Sequence, residues 1–250
     1  MLLGTVWRES VPRPLLSGHL RATGTALLAI CVPVIFAAFL AAHGNPSRLN
    51  AVVDPRIQAA MSPFPVLLNW LPDLGTLGLV APMTLVLATA FAATRRWSGA
   101  VLTVVAVPGA IGLTEYVLKP DVGGILGQPF PSGHATSSFA LATVFAVLLS
   151  ASPRHRLPRT LRLLLVLMAL LLATAVAAAM VAINAHTFTD IVAGAAVGTG
   201  VVLACALALD LVTSRAHRRH QPGRPAGPDP EEGARAAGEI QSDYASGIFP

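Results

Sequence analysis

Residues 128–150 read QPFPSGHATSSFALATVFAVLLS. A short polar loop closes on Pro131, Ser132, Gly133 and His134 and then opens into an apolar run. Ser132 is suited to cap a helix that starts there, and Gly133 eases the turn into it. The same features suit an anion. A helix start presents unpaired N–H groups and the positive end of the helix dipole, and both attract a phosphate. Glycine lets the ligand approach the backbone, and a histidine beside such a cradle can hand a proton to a leaving oxygen. The stretch is therefore either a capped membrane helix or a capped membrane helix that holds an anion, and the surrounding chain has to choose.

The chain has 250 residues, of which 54% are hydrophobic and only 12% charged. Soluble domains average about 25% charged residues. Mean hydropathy is +0.67, so a membrane protein is expected. Six apolar segments reach the roughly 20 residues a bilayer crossing needs. They fall near 23–42, 74–94, 99–118, 134–151, 163–183 and 190–212. The first is too long for the apolar core of a signal peptide and is read as an anchor. Alanine, leucine and valine dominate and aromatics are few, which favours slim helices packed through small side chains. Gly194 and Gly198 form a small-xxx-small pair on the last span, so that helix is expected to lie close against a neighbour. Cys31 and Cys205 each sit among apolar residues and are expected to be free thiols.

A net charge of +5 would suggest nucleic acid as a partner for a soluble protein. The distribution of the arginines argues otherwise. They cluster before span one, between spans two and three, between four and five, and after six, while only Arg48, Arg56 and Lys119 fall on the other side. The positive-inside rule makes the arginine-rich side cytoplasmic, with both termini inside. The expected fold is an all-α polytopic bundle of six transmembrane helices. Residues 1–22 form a cytoplasmic N-terminal segment, 23–213 the six-helix membrane domain, and 214–250 a Pro-, Gly- and Arg-rich tail with too little to bury to fold. Residues 43–73 make the longest outer loop, with Pro63–Leu71 as a short interfacial segment.

Three polar clusters emerge at one face in this topology. Lys119 ends span three in LTEYVLKPDVGG, Ser132 and His134 open span four, and His186 and Asp190 lie in INAHTFTDIVAG between spans five and six. His186 and Asp190 are four apart, so a helical turn puts them on one face. An aspartate that accepts from one imidazole nitrogen fixes the tautomer and frees the other as nucleophile or base. As a plain cap, Asp190 would start span six. Lys119 can serve as a mobile phosphate donor. It can equally pair with Glu115, one turn earlier, since an acidic group in a span needs a partner.

Lysine, PSGH and HTFTDIVAGAAVG in this order resemble the type 2 phosphatidic acid phosphatase family of lipid phosphate phosphatases. The resemblance covers roughly residues 50–210. It implies that His186 attacks phosphorus to form a phosphohistidine and that Asp190 orients it. His134 would protonate the leaving group and later activate water. Lys119, Ser132 and Gly133 would hold the phosphoryl oxygens, with no metal and no cofactor. It implies a lipid phosphate or pyrophosphate substrate, membrane lipids as surroundings, and an active site on the outer face of the cell membrane. Two arginines of the family pattern are missing: their positions hold Gly124 or Leu126, and Met180, with Ala179 in place of the accompanying serine. Each such donor is typically worth 10²–10³-fold in rate. Arg48 or Arg56 folding over the site, or neutral donors from Asn184 and Gln128, are the expected substitutes. The alternative function is a weak or inactive relative that binds phospholipid headgroups or acts as a membrane scaffold. A transporter is disfavoured because the polar residues gather at one surface and not at the midplane.

Overall fold

The structure, a computed structural model, describes residues 15–16, 18–42, 48–126, 129–150 and 157–219. The arginines at 8, 13, 154, 156, 224 and 235, Gln128, and the tail from residue 220 lie outside them. The chain divides into a unit of residues 1–213 and a second of 214–250.

The first unit is all-helical. In chain order the helices are α1 (Gly18–Ala42), α2 (Arg48–Met61), α3 (Pro65–Leu74), α4 (Leu77–Ala93), α5 (Trp97–Leu126), α6 (Gly133–Ser150), α7 (Arg159–Ala182) and α8 (Phe188–Arg219). Five are long and apolar enough to cross a membrane, and α3 with α4 makes a sixth if the pair is one span bent by 59°. Large apolar side chains face outward along α1, α4 and α7, among them Phe36, Val86, Leu163 and Met168. Water would not tolerate so extended an apolar surface, whereas lipid does.

Two expectations change. The outer loop at 43–73 is not a loop, because α2 and most of α3 lie in it. The second apolar segment forms α4, and a 59° bend at Gly75 and Thr76 sets it off from α3. Pro72 lies just before the break, and Thr76 takes extended geometry to start α4. Both α2 and α3 pack on α7.

The core is made of small and branched residues. Leu102, Ala106, Val107 and Ala110 of α5 meet Ala140, Val144 and Val147 of α6 and Val202, Leu203 and Ala206 of α8. At one end of α8, buried Asp210 accepts the N–H groups of Leu15 and Leu16 at 2.6 and 2.9 Å and the Arg21 guanidinium at 3.2 Å. That contact ties the start of α1, otherwise a peripheral helix, to α8. Cys31 and Cys205 are free.

Gly194 and Gly198 do what their spacing predicts, and the neighbour is α6. A Cβ on Gly194 would fall on the Ser132 carbonyl oxygen and one on Gly198 on that of Thr136. Both obstacles are backbone and cannot swing aside. Gly198→Ala is therefore expected to destabilise by about 1–3 kcal/mol or more, the range for overpacking a core. A melt in detergent should show a drop of several degrees, and an unchanged melting temperature would contradict the backbone contact.

Candidate active site

Within α5 the stretch Leu113–Gly123 is wound wider than an α-helix. Pro120 has no N–H to give, and the Gly124 N–H reaches back to the Lys119 carbonyl, an i→i−5 bond. Within this stretch Glu115 and Lys119 form the pair that the sequence allowed. Lys119 Nζ donates to both carboxylate oxygens at 2.6 and 2.8 Å. Thr114, fully buried, donates to Thr136 at 3.1 Å and ties α5 to α6.

Ser132 caps α6 as expected, though its Oγ accepts the Ala135 N–H at a long 3.5 Å. Its carbonyl accepts the Thr136 N–H at 3.0 Å. Among the described residues the N–H groups of Gly133 and His134 have no acceptor. A Cβ on Gly133 would collide with Glu115 Oε1, and Lys119 Nζ would lie 3.3 Å away. The glycine is thus the point where the α5 pair touches the start of α6. His134 is half-buried against Gly75: a Cβ on that residue would meet the imidazole at 3.0 Å. Ser137 donates to the Gly75 carbonyl at 2.8 Å, so the break between α3 and α4 is fitted to His134.

The third cluster is set by two helix ends. Helix α7 stops in a Schellman motif: the Ala185 N–H bonds the Met180 carbonyl, the Asn184 N–H bonds that of Val181, and Asn184 takes φ 60°. Asparagine tolerates this left-handed geometry. The His186 N–H also reaches the Met180 carbonyl, at 3.2 Å. Helix α8 then begins at Phe188, and Asp190 accepts the Thr187 N–H at 2.9 Å. This is the returning half of a capping box, with the acid at the third helical position. Capping turn and helix together bring His186 Nδ1 to 3.5 Å from Asp190 Oδ2. That distance is longer than a hydrogen bond, and neither Nδ1 nor Asp190 Oδ1 has a hydrogen-bond partner among the described residues. The side chains are only 8% and 2% exposed, so water does not readily replace the missing bond. Catalytic hydrogen bonds are commonly long before substrate arrives.

The Ser132 N–H donates to the Asp190 carbonyl at 3.0 Å and joins the second cluster to the third. All six sequence-predicted residues, Lys119, Ser132, Gly133, His134, His186 and Asp190, are therefore held at one end of the bundle. His134 lies within electrostatic range of His186, Lys119, Glu115 and Asp73.

The sequence reading missed a polar stripe on α2. Asn50, Asp54 and Gln58 are four residues apart, and all three hold the α7–α8 turn. Asn50 accepts the Thr189 N–H at 3.1 Å and donates to its hydroxyl at 3.0 Å. Asp54 accepts the Phe188 N–H at 2.9 Å, and Gln58 donates to Asn184 Oδ1 at 2.9 Å. Ile57 on the same side packs with Ala135, Val181 and Ile191. Arg48 and Arg56 do not substitute for the missing arginines as expected. Both are exposed, and among the described residues neither makes an ion pair. Arg56 sits two positions from both Asp54 and Gln58, on the far side of the helix. The Asn184 carbonyl oxygen is taken by Gln58, and Gln128 lies outside the described residues. Met180, at the arginine position, is buried, and Ala179, at the serine position, is buried in an apolar contact with Leu71, Leu68 and Leu74 of α3.

Residues 111–213 match the family model of the PAP2 superfamily, consistent with a member of that family. Members of that superfamily are phosphatases, which supports a phosphoric ester hydrolase. No curated protein and no solved structure matches the chain.

Burial holds the Asp54 carboxyl above its ordinary range and the Asp190 charge adds to this, while the bond from Phe188 opposes them. A raised carboxyl favours the folded state when protonated, and that contribution is lost as pH rises through the folded-state titration. Asp54→Asn keeps the acceptor for Phe188 and drops the charge. It should melt at or above the wild type at neutral pH, with the difference fading in acid. Asp54→Ala leaves a helix N–H unsatisfied and should cost about 1–3 kcal/mol at every pH. Equal melting of the two variants would contradict the capping role.

Proposed function

We propose that the chain is an integral-membrane phosphatase that hydrolyses a lipid phosphate or pyrophosphate monoester through a phosphohistidine. The observation that carries this is the joining of three sequence-distant clusters at the start of α6, by the Ser132–Asp190 backbone bond and the Gly133–Lys119 approach.

In this reading the phosphoryl oxygens lie against the free N–H groups of Gly133 and His134, with Lys119 as counter-charge. His186 attacks phosphorus through Nε2. As the N–P bond forms and the P–O bond breaks, His134 gives its proton to the leaving oxygen. Asp190 approaches Nδ1–H and stabilises the charge that the ring acquires. A water then gives its proton to His134 and attacks phosphorus, the N–P bond breaks, and phosphate leaves. No step calls for a metal or a cofactor.

The arginine pattern supports cytoplasmic termini and a site on the outer face of the cell membrane. Apolar helix surfaces around the polar end suit a substrate whose tail stays in lipid. Polyprenyl diphosphate, phosphatidylglycerol phosphate and phosphatidic acid all have that form. A second reading, a relative that binds a phosphorylated headgroup without cleaving it, is favoured by the buried methionine, Met180, at the position of a phosphate-holding arginine.

The test is phosphate release by detergent-purified protein on polyprenyl and glycerolipid phosphates. His186→Ala should lose at least about 10³-fold in rate, and His134→Ala about 10²–10⁴-fold. A folded wild type that releases no phosphate from any of them would overturn the enzyme reading in favour of the binding one.

A further inference from the structure

We infer that the Glu115 carboxylate occupies the seat of the substrate phosphate in the free protein, and that a phosphoryl group binds by displacing it from Lys119. The position of the seat rests on the proposed function; the competition for it rests on Glu115 itself.

Both Glu115 oxygens are bonded to Lys119 Nζ, at 2.6 and 2.8 Å. One of them lies against Gly133, the first residue of α6, where a Cβ would otherwise stand. A carboxylate placed there makes no hydrogen bond to the Gly133 or His134 N–H, but it lies in the field of the same helix dipole end that would draw a phosphate. It also takes the same cation. The pair is not a buried ion pair forced by packing: the Glu115 side chain is 38% exposed and that of Lys119 27%. Glu115 therefore has a solvated position to move to, and exchanging one anion for another leaves no charge stranded.

The exchange matters because little else in this site is positive. The positions where the resembling family carries arginines hold Gly124 or Leu126, and Met180. With Glu115 in place the Lys119 charge is cancelled, and Asp190 and Asp54 remain nearby. A bare phosphate dianion meets an unfavourable field. A lipid phosphate brings the binding energy of its tail and can evict the carboxylate. Product phosphate has no tail and is expelled as Glu115 returns. Glu115 thus makes the site selective for esterified over free phosphate.

Binding of inorganic phosphate measured by calorimetry tests this without needing turnover. Glu115→Gln should bind inorganic phosphate at least tenfold more tightly than the wild type. Glu115→Asp, with the same charge on a shorter stem, should show a smaller gain. Glu115→Gln combined with Lys119→Gln should lose the gain, because the freed donor is gone. Thermal melts establish that each variant is folded. Phosphate binding that is unchanged or weaker in both Glu115→Gln and Glu115→Asp would overturn the inference and make Glu115 a residue that merely orients Lys119. Tighter binding in a protein that hydrolyses nothing would uphold the seat while removing the phosphatase reading. Activity lost in His186→Ala, with no phosphate gain on changing Glu115, would do the reverse.

Discussion

The approach of α6 and α8 is the contact on which the polar site depends. Gly194 and Gly198 let the α8 backbone lie against the carbonyls of Ser132 and Thr136. Only at that separation can the Ser132 N–H reach the Asp190 carbonyl. That bond fixes the start of one helix against the start of the other, so the first N–H groups of α6 and the His186–Asp190 pair share one end of the bundle. A methyl group at either glycine would push the two helix starts apart. Both glycines have their reason in close packing, and that packing positions the chemistry.

Around this contact the chain satisfies its helix ends with one another. The start of α8 has three described N–H groups held by side chains: Thr187 by Asp190, Phe188 by Asp54 and Thr189 by Asn50. The end of α7 closes on the Met180 carbonyl, which also receives the His186 N–H. In a low-dielectric surrounding an unpaired backbone group costs several kcal/mol, so such mutual capping is strongly favoured. The His186 main chain is fixed by its N–H bond to Met180 and by the capped turn that follows. Its ring Nδ1 lies 3.5 Å from Asp190 Oδ2.

Much of this was legible in the sequence. The spans at 99–118, 134–151, 163–183 and 190–212 appear as α5 to α8, because long apolar runs have few alternatives. The three clusters came together because the connections that carry them are short. The α2 stripe was not seen, since Asn50, Asp54 and Gln58 are polar and the segment around them carries too few apolar residues to announce a helix. Their spacing of four was the available signal. The bend before α4 was also missed. Gly75 looks like an ordinary turn residue until His134 is found packed on it. The wide turns of α5 follow from Pro120, but a proline in sequence predicts a break as readily as a widening. Arg48 and Arg56 show the limit most clearly. Charge counting alone made them candidates for a phosphate site, while the phase of α2 turns Arg56 away from the Asp54 and Gln58 face.

Trapping the phosphoryl intermediate tests His186 as the nucleophile. The protein would be mixed with a phosphorus-labelled lipid phosphate, quenched in base within milliseconds to seconds, and mapped by peptide mass spectrometry. An acid-labile, base-stable phosphoryl group is expected on His186 and absent from His186→Ala. Turnover without any label on that residue, or label carried by another side chain, would contradict it.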